Sequence, residues 1–482
     1  MMDLFFAILL VGFIWLSYRK PLWGVGAVIV LLPSYLWCFN ILGIPTTFLE
    51  LLIVSLFIVW LLKEKKYKAI NFSLQKTFDN QVPKALRYLL GLWSLAAILA
   101  LLTNFTYASL GLWRAYFLEP LMFFLVFVYT VKNKVNGEAR EGGLGHKKDW
   151  TVIINSLALL LAWLFTVAMY QNFTTWNYID AYNFPNVKRL TGPFAYPNAL
   201  SLLTAPLTAL FAGLWIYTKD KLFNWHYLIL FIFGLVLAIM TVSQGAMLAI
   251  IFSLFLALIL AKKLRKIAIP VIILGLISIL LVLPKIDINP ELNLQSSSLD
   301  IRLNQWQETS ALLADNFLLG TGLNGYQNAL EAYHHTEWLE IYLYPHNIFL
   351  NFWIEIGLLG LLVFISLIIY VILLLKDIFK ANNNLAWPLS MMWLTWFVHG
   401  LVDVPYFKND LSVLFFTMLV FTLVVSKYKK SHVHKSSLSK STPFKSYSIT
   451  ESLSDGKIIT ESLLPIIVTV FSSPSSLVMI KF

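Results

Sequence analysis

Residues 347–375 read NIFLNFWIEIGLLGLLVFISLIIYVILLL, an apolar run in which Glu355 is the one charged side chain. A helix rises about 1.5 Å per residue, so roughly 20 apolar residues cross a hydrocarbon core of about 30 Å. This run is longer than that. Runs of the same kind recur almost from end to end, at about 3–18, 22–38, 47–62, 88–104, 114–131, 151–170, 198–218, 225–242, 245–262, 267–284, 387–403 and 410–427. The chain of 482 residues is 59% hydrophobic and 13% charged, and its mean hydropathy is +0.73. A soluble protein of this length needs far more charged surface. The fold class that follows is an all-α polytopic membrane protein with about 12–13 transmembrane helices and one long extracytoplasmic loop. Pro33 and Pro45 leave the N-terminal spans open to being broken or re-entrant.

The net charge of +11 does not point to nucleic acid, because the basic residues sit in short clusters between apolar runs. Arg19-Lys20, Lys63 to Lys68, Lys132 to Lys148, Lys219 with Lys221, Lys262 to Lys266, Lys376 with Lys380, and Lys427 to Lys430 all fall on alternate loops. The positive-inside rule makes those loops cytoplasmic. Thirteen spans then put the N-terminus outside and the C-terminus in the cytoplasm. Residues 1–430 read as one membrane domain including an outer loop at 284–345, and 431–482 as a Ser- and Lys-rich cytoplasmic tail, disordered or peripheral. The apolar start from Leu4 lacks a basic flank and a cleavage site, so it reads as a retained first helix. A single cysteine, Cys38, excludes an internal disulfide framework.

Polar groups at the membrane face are functional candidates by default. Four clusters gather on the outer side. The first is Lys188-Arg189-Leu190-Thr191-Gly192-Pro193-Phe194, with Pro197-Asn198 leading into a helix. Asn198 can cap that helix, and Arg189 beside a helix start suits an anion; a plain cap and an interfacial arginine is the equal alternative. The second is Asp300 to Trp306, followed by Leu319-Gly320-Thr321-Gly322. Ser298 can cap a helix there, with Arg302, Trp306 and Ser310 on one face; taken alone, this reads first as an amphipathic surface helix. The third is Tyr344-Pro345-His346-Asn347, at the start of the run quoted above. The positive end of a helix disfavours a charged imidazole, and a neutral ring can accept a proton as a general base. His334 and His335 are rivals in the same loop. The fourth is His399 to Tyr406, where Asp403 could orient a base, bind sugar hydroxyls or hold a turn. Arg114 and Glu119 read as an architectural ion pair. No His, Cys or Asp spacing suggests a metal or other cofactor, and Glu331, Glu337 and Glu340 stand as second-rank acids.

These groups, in this order, resemble the bacterial O-antigen ligase and O-antigen polymerase superfamily of membrane glycosyltransferases. The matching pieces are Arg189 to Phe194 with Pro197-Asn198, Val242-Ser243-Gln244-Gly245-Ala246, Arg302-Leu303 with Trp306, Leu319 to Gly322, and His346-Asn347 with Gly357 to Gly360. The resemblance implies a GT-C-like fold and a cofactor-free, metal-independent transfer from an undecaprenyl-diphosphate-linked glycan to an acceptor hydroxyl. It implies His346 as the base and Arg302 and Arg189 as the grip on the diphosphate. Asn198, Gln244, Trp306, Asn347 and Asp403 complete the expected site. The family carries arginine after the serine of its Ser-Arg-Gly/Ser motif, where this chain has Gln244, so one expected cation is missing. The implied setting is the bacterial cytoplasmic membrane, with the site on its extracytoplasmic face.

The acceptor could be lipid, glycan or protein, which separates ligase, polymerase and O-oligosaccharyltransferase; ligase is favoured. The alternative of another class is a transporter or flippase of lipid-linked glycans. Deep charges in several spans would favour it, and they are scarce here.

Overall fold

A computed structural model describes residues 2–41, 43–67, 82–137, 145–174, 176–177, 179, 183–184, 187–217, 225–260, 298–335 and 340–427. The span expected at 267–284, Glu337 and the tail at 431–482 lie outside the described residues, as does the loop up to residue 297. The first three helices are α1 (Met2–Arg19), α2 (Pro21–Val30) and α3 (Phe48–Tyr67). After them come α4 (Lys84–Thr103), α5 (Tyr107–Trp113), a π-turn at Arg114–Leu118, α6 (Glu119–Gly137) and α7 (Gly145–Thr174). The central part holds α8 (Pro197–Tyr217), α9 (Trp225–Met240) and α10 (Gln244–Leu260). The outer loop contributes α11 (Ser298–Asp315) and α12 (Tyr326–Leu330), and the chain returns through α13 (Ile348–Lys380), α14 (Ala386–Gly400) and α15 (Asn409–Lys427).

Six helical stretches among the described residues are long and apolar enough to cross a membrane: α4, residues 107–131, residues 150–174, α8, α13 and α15. Shorter apolar helices at Leu4–Arg19, Pro21–Val30, Trp225–Met240 and Gln244–Leu260 accompany them. In lipid every backbone group must find a partner inside the protein, which an apolar helix does locally. The protein is therefore an all-α polytopic membrane protein. α8 and α15 form its centre, with 89% and 83% of their apolar windows buried. Close approach makes that centre: a Cβ on Gly213 of α8 would stand 2.5 Å from the Pro388 Cα of α14.

The second expected span, 22–38, is not one helix. α2 stops at Val30, a 3-10 turn runs over Leu32–Leu36, and the chain leaves as the hairpin β1 (Cys38–Ile41) and β2 (Ile44–Thr47). Pro33 has no N–H to continue the helix, which is why the break falls there. Thr47 and Glu50 then start α3 reciprocally: Thr47 N–H donates to Glu50 Oε2 at 2.9 Å, and Glu50 N–H donates to Thr47 Oγ1 at 3.3 Å. A second small hairpin joins β3 (Asn183–Phe184) to β4 (Val187–Lys188).

Polar contacts tie the helices together at both ends of the bundle. Lys63 Nζ at the end of α3 donates to Tyr18 O near the end of α1, at 2.8 Å. At the opposite end, Arg114 donates to Pro45 O at 2.8 Å and to Glu50 at 2.9 Å, and lies 3.3 Å from Glu119. The expected Arg114–Glu119 pair is thus a triad that ties α3 to the π-turn.

α13 is interrupted at Gly357, whose φ of 74° and ψ of 178° are not helical. The interruption is filled from the outer loop. Thr321 N–H donates to Ile354 O at 2.7 Å, and Leu358 N–H donates to Leu318 O at 2.9 Å. A Cβ on Gly320 would lie 2.3 Å from Ile354 O, so only glycine allows the two backbones to meet this closely. The same turn continues to α4, where Leu323 N–H donates to Ala100 O at 3.2 Å. The Leu-Gly-Thr-Gly stretch therefore anchors the outer loop to the membrane core.

Candidate functional site

The segment carrying Arg189 is held from below by Gln171 at the end of α7. Gln171 is fully buried, its Oε1 accepts from Thr191 N–H at 3.0 Å and Gly192 N–H at 2.8 Å, and its Nε2 donates to Thr191 Oγ1 at 2.9 Å. Leu190 N–H donates to Met240 O at 2.9 Å. So fixed, Arg189 donates from Nε to Thr241 O at 2.9 Å and from Nη2 to Asn198 Oδ1 at 3.2 Å. α8 begins at Pro197, where a missing N–H costs nothing. Asn198 thus lies inside the helix, and its side chain serves Arg189 and Asp403 instead of capping.

The turn at residues 401–408, between α14 and α15, organises the other side. Four of its carbonyls accept from distant side chains. Leu401 O takes Asn347 Nδ2 at 3.2 Å, Val402 O takes Arg302 Nε at 2.8 Å, Pro405 O takes Trp396 Nε1 at 3.1 Å, and Phe407 O takes Tyr344 Oη at 2.9 Å. Tyr406, fully buried, donates to Tyr116 O at 2.6 Å. Buried carbonyls need such partners, and here the need holds α11, α13 and the π-turn helix to one loop.

His346 adopts φ 47°, a left-handed backbone that costs on the order of 1 kcal/mol for a residue with a Cβ. Its neighbours hold it there. Trp306 Nε1 of α11 donates to Pro345 O at 2.8 Å. Asn347 caps α13, its Oδ1 accepting from Phe349 N–H at 2.9 Å and Leu350 N–H at 3.2 Å.

These elements enclose a cavity of about 400 Å³ whose walls include Arg189, Asn198, Arg302, Glu340, His346 and Asp403. A continuous line of contacts crosses it. Arg189 bonds Asn198, Asn198 Nδ2 donates to Asp403 Oδ2 at 3.1 Å, and Asp403 Oδ1 lies 3.3 Å from His346 Nδ1. Burial by itself would raise the Asp403 carboxyl. The hydrogen-bonding His346 ring, the nearby His399 ring and the Val404 N–H at 2.8 Å outweigh it and hold the group at about 2, against an ordinary 3.8. The site thus carries a fixed carboxylate behind an imidazole, with guanidinium groups from two other segments. Such a site can orient a base and hold an anion.

Six residues singled out in the sequence share the cavity: Arg189, Asn198, Arg302, His346, Asp403 and the second-rank acid Glu340. Three do not. Gln244 is exposed in the first turn of α10 and does not line it. Trp306 bonds Pro345 O, next to His346, and Asn347 bonds Leu401 O; neither lines the cavity. His334 is engaged elsewhere, with Nδ1 3.0 Å from Glu308 Oε2. Tyr196, Ile301 and Tyr342 line the cavity and were not singled out; aromatic and apolar residues carry no signal in so apolar a chain. Lys408 was also missed. Its ammonium lies 4.3 Å from the Phe194 ring centre, 4.9 Å from Tyr35, 5.6 Å from Tyr196 and 3.7 Å from Asp410 Oδ2. Burial lowers the pKa of this lysine, and the three rings compensate part of that cost. The signal for it was a lysine on a loop otherwise poor in basic residues. Among the described residues, no three His, Cys, Asp or Glu side chains are grouped so as to hold a metal ion.

Residues 229–365 match a family model described as O-antigen ligase. The match spans α10, α11 and the first part of α13, and so includes Arg302 and His346; Arg189, Asn198 and Asp403 lie outside it. No curated protein matches the chain.

Proposed function

We infer that this chain, a member of the O-antigen ligase and polymerase superfamily, transfers a glycan from a polyprenyl-diphosphate carrier to an acceptor hydroxyl in the cavity around His346. The observation that carries the reading is the contact line from Arg189 through Asn198 and Asp403 to His346, with Arg302 on the same cavity. Asp403 engages Nδ1, which leaves Nε2 as the ring nitrogen for a substrate. In the proposed step Nε2 takes the proton of the acceptor hydroxyl. The acceptor oxygen forms a bond to the anomeric carbon as the bond from that carbon to the diphosphate oxygen breaks. The diphosphate leaves with the electron pair, and its growing negative charge is stabilised by Arg189 and Arg302. Preorganised donors of this kind contribute most where charge develops in the transition state. The arginines can do this without a divalent ion, and the proposed reaction uses none.

Several features support placing the cavity at the extracytoplasmic face of a bacterial cytoplasmic membrane. It lies at the end opposite the basic clusters at Arg19 and Lys63, and a lipid diphosphate presents its charge at headgroup level. The C-terminus is then cytoplasmic. With Gln244 in place of the motif arginine, this reading leaves the anion to Arg189 and Arg302; Arg189 takes its hold from Thr241, just before that motif.

The test is transfer by purified protein from a defined lipid-linked oligosaccharide to a lipid-core, a glycan or a peptide acceptor. Ligase activity predicts product on the lipid core, dependent on His346. Product on none of the three would remove the reading, and product on glycan or peptide alone would redirect it to polymerase or oligosaccharyltransferase.

A further inference from the structure

A second recess, of about 110 Å³, lies beyond the segment that ends at His346. Leu343 and Tyr344 line both this recess and the larger cavity, so the two adjoin at those residues. Its floor is Glu355, 4% exposed, on the α13 turn just before the interruption at Gly357. Asn324 N–H donates to Glu355 Oε2 at 2.8 Å. Asn324 itself holds a left-handed φ of 61°, which aims its amide at the carboxyl. No ion pair to Glu355 is found among the described residues. Around it stand the phenols of Tyr116, Tyr326 and Tyr344 and the amide of Gln327.

A buried carboxyl without a cation costs free energy unless its oxygens receive hydrogen bonds. An anionic ligand would find no Lys or Arg among the lining residues. A metal ion lacks further acidic ligands, since no three-member group of His, Cys, Asp or Glu exists among the described residues. A neutral polyhydroxyl ring suits the recess on each count. Its hydroxyls donate to Glu355 and to phenol oxygens, whose own protons go to Phe407 O, Tyr344 and Thr309, accept from the Gln327 amide, and leave an apolar face for the tyrosine rings. The volume of about 110 Å³ admits no more than one sugar ring.

We propose that this recess binds a single sugar ring of the glycan that reacts in the neighbouring cavity, with Glu355 as the hydroxyl acceptor. The proposal rests on the glycosyl-transfer reading for which glycan it is, but the binding of a sugar stands apart from catalysis. The ring belongs either to the donor or to the acceptor glycan, and kinetics distinguish the two.

The experiment is saturation-transfer-difference NMR on the full chain in a sugar-free detergent. Methyl glycosides of glucose, galactose, rhamnose and N-acetylglucosamine serve as probes. At least one glycoside gives a signal with wild type and with His346→Ala. Glu355→Gln, which keeps an oxygen for Asn324 N–H, weakens that signal at least tenfold. Leu112→Trp, which fills the recess from α5 without touching its hydrogen bonds, removes it. In the transfer assay, Glu355→Gln raises KM at least tenfold for one substrate, donor or acceptor, with kcat within threefold. No signal from any glycoside with wild type, or equal signals from all variants, overturns the proposal and leaves a water-filled recess. A sugar signal with no transfer activity would instead count against the proposed reaction alone.

Discussion

Asp403 and His346, 57 residues apart in the chain, meet through Oδ1 and Nδ1 at 3.3 Å. The contact depends on two turns that are each fixed elsewhere: Trp306 and Asn347 hold the His346 backbone, and four carbonyl contacts hold the loop of Asp403. Neither residue could orient the other from an unfixed loop. Catalytic geometry is that sensitive because a misplacement of about 1 Å can cost on the order of 100-fold in rate.

Replacing His346 with Ala is expected to lower kcat by a factor on the order of 10² to 10⁴, the usual worth of a positioned base. Membrane insertion and the size-exclusion profile should be unchanged. The readout is transfer from a lipid-linked donor, and full turnover by this variant would remove the histidine from the mechanism.

Asp403→Asn retains an acceptor for Val404 N–H and loses the charge. We expect kcat to fall at least about tenfold while donor KM stays within threefold, because orientation of the base is lost and binding is not. The same residue makes a stability prediction. Its folded pKa of about 2 lies below the ordinary 3.8. Its contribution is therefore full above about pH 4 and fades as pH falls towards 2. In thermal melts of detergent-solubilised protein, the gap between wild type and Asp403→Asn should shrink as pH falls from about 4 towards 2. A gap independent of pH would refute the charged role.

Arg302→Lys should reduce kcat/KM for the donor by roughly 100-fold. Arginine can spend Nε on Val402 O, at 2.8 Å, and still present its planar fork to phosphate oxygens; lysine has one ammonium for both tasks. Kinetics like those of wild type would mean that Arg302 only fastens α11 to the turn at 401–408.

Gly320→Ala should destabilise the protein by about 1–3 kcal/mol, since it places a Cβ at φ 64° and 2.3 Å from Ile354 O. Gly91→Ala in α4, where nothing lies within 4 Å of the added Cβ, should be neutral or stabilising by up to about 1 kcal/mol. Equal melting temperatures for the two variants would deny the Gly320 turn its anchoring role.

Gln244→Ala should leave donor KM and kcat within about twofold. The side chain is exposed at the start of α10 and does not reach the cavity wall. A large loss there would mean that substrate extends over α10, well beyond the cavity.

The helices were legible where hydrophobicity is continuous. The runs that became α4, α8, α13 and α15 each satisfy their own backbone and need no distant partner. The second run was left open to a break at Pro33, and the structure has one there; the hairpin at 38–47 that follows is not registered by an apolar window. In the candidate site, charge and imidazole on outer loops drew attention to Arg189, Arg302, His346 and Asp403, because such groups are scarce in an apolar chain. Tyr196 and Tyr342 gave no comparable signal. Trp306 and Asn347 sit in the right stretches, yet their side chains turn to backbone carbonyls, which no spacing rule shows.

By itself, then, the sequence determined that the chain lies in a membrane, which stretches are helical and which loops carry polar groups, since each depends on burial and hydrogen bonding within about 20 neighbouring residues. Tertiary structure alone decided that Asn198 meets Asp403 across 205 positions, and that the outer loop supplies the hydrogen bonds missing at Gly357. Those outcomes rest on backbone groups left unpaired by one element and satisfied by another, and such a debt is not written in the local order of residues.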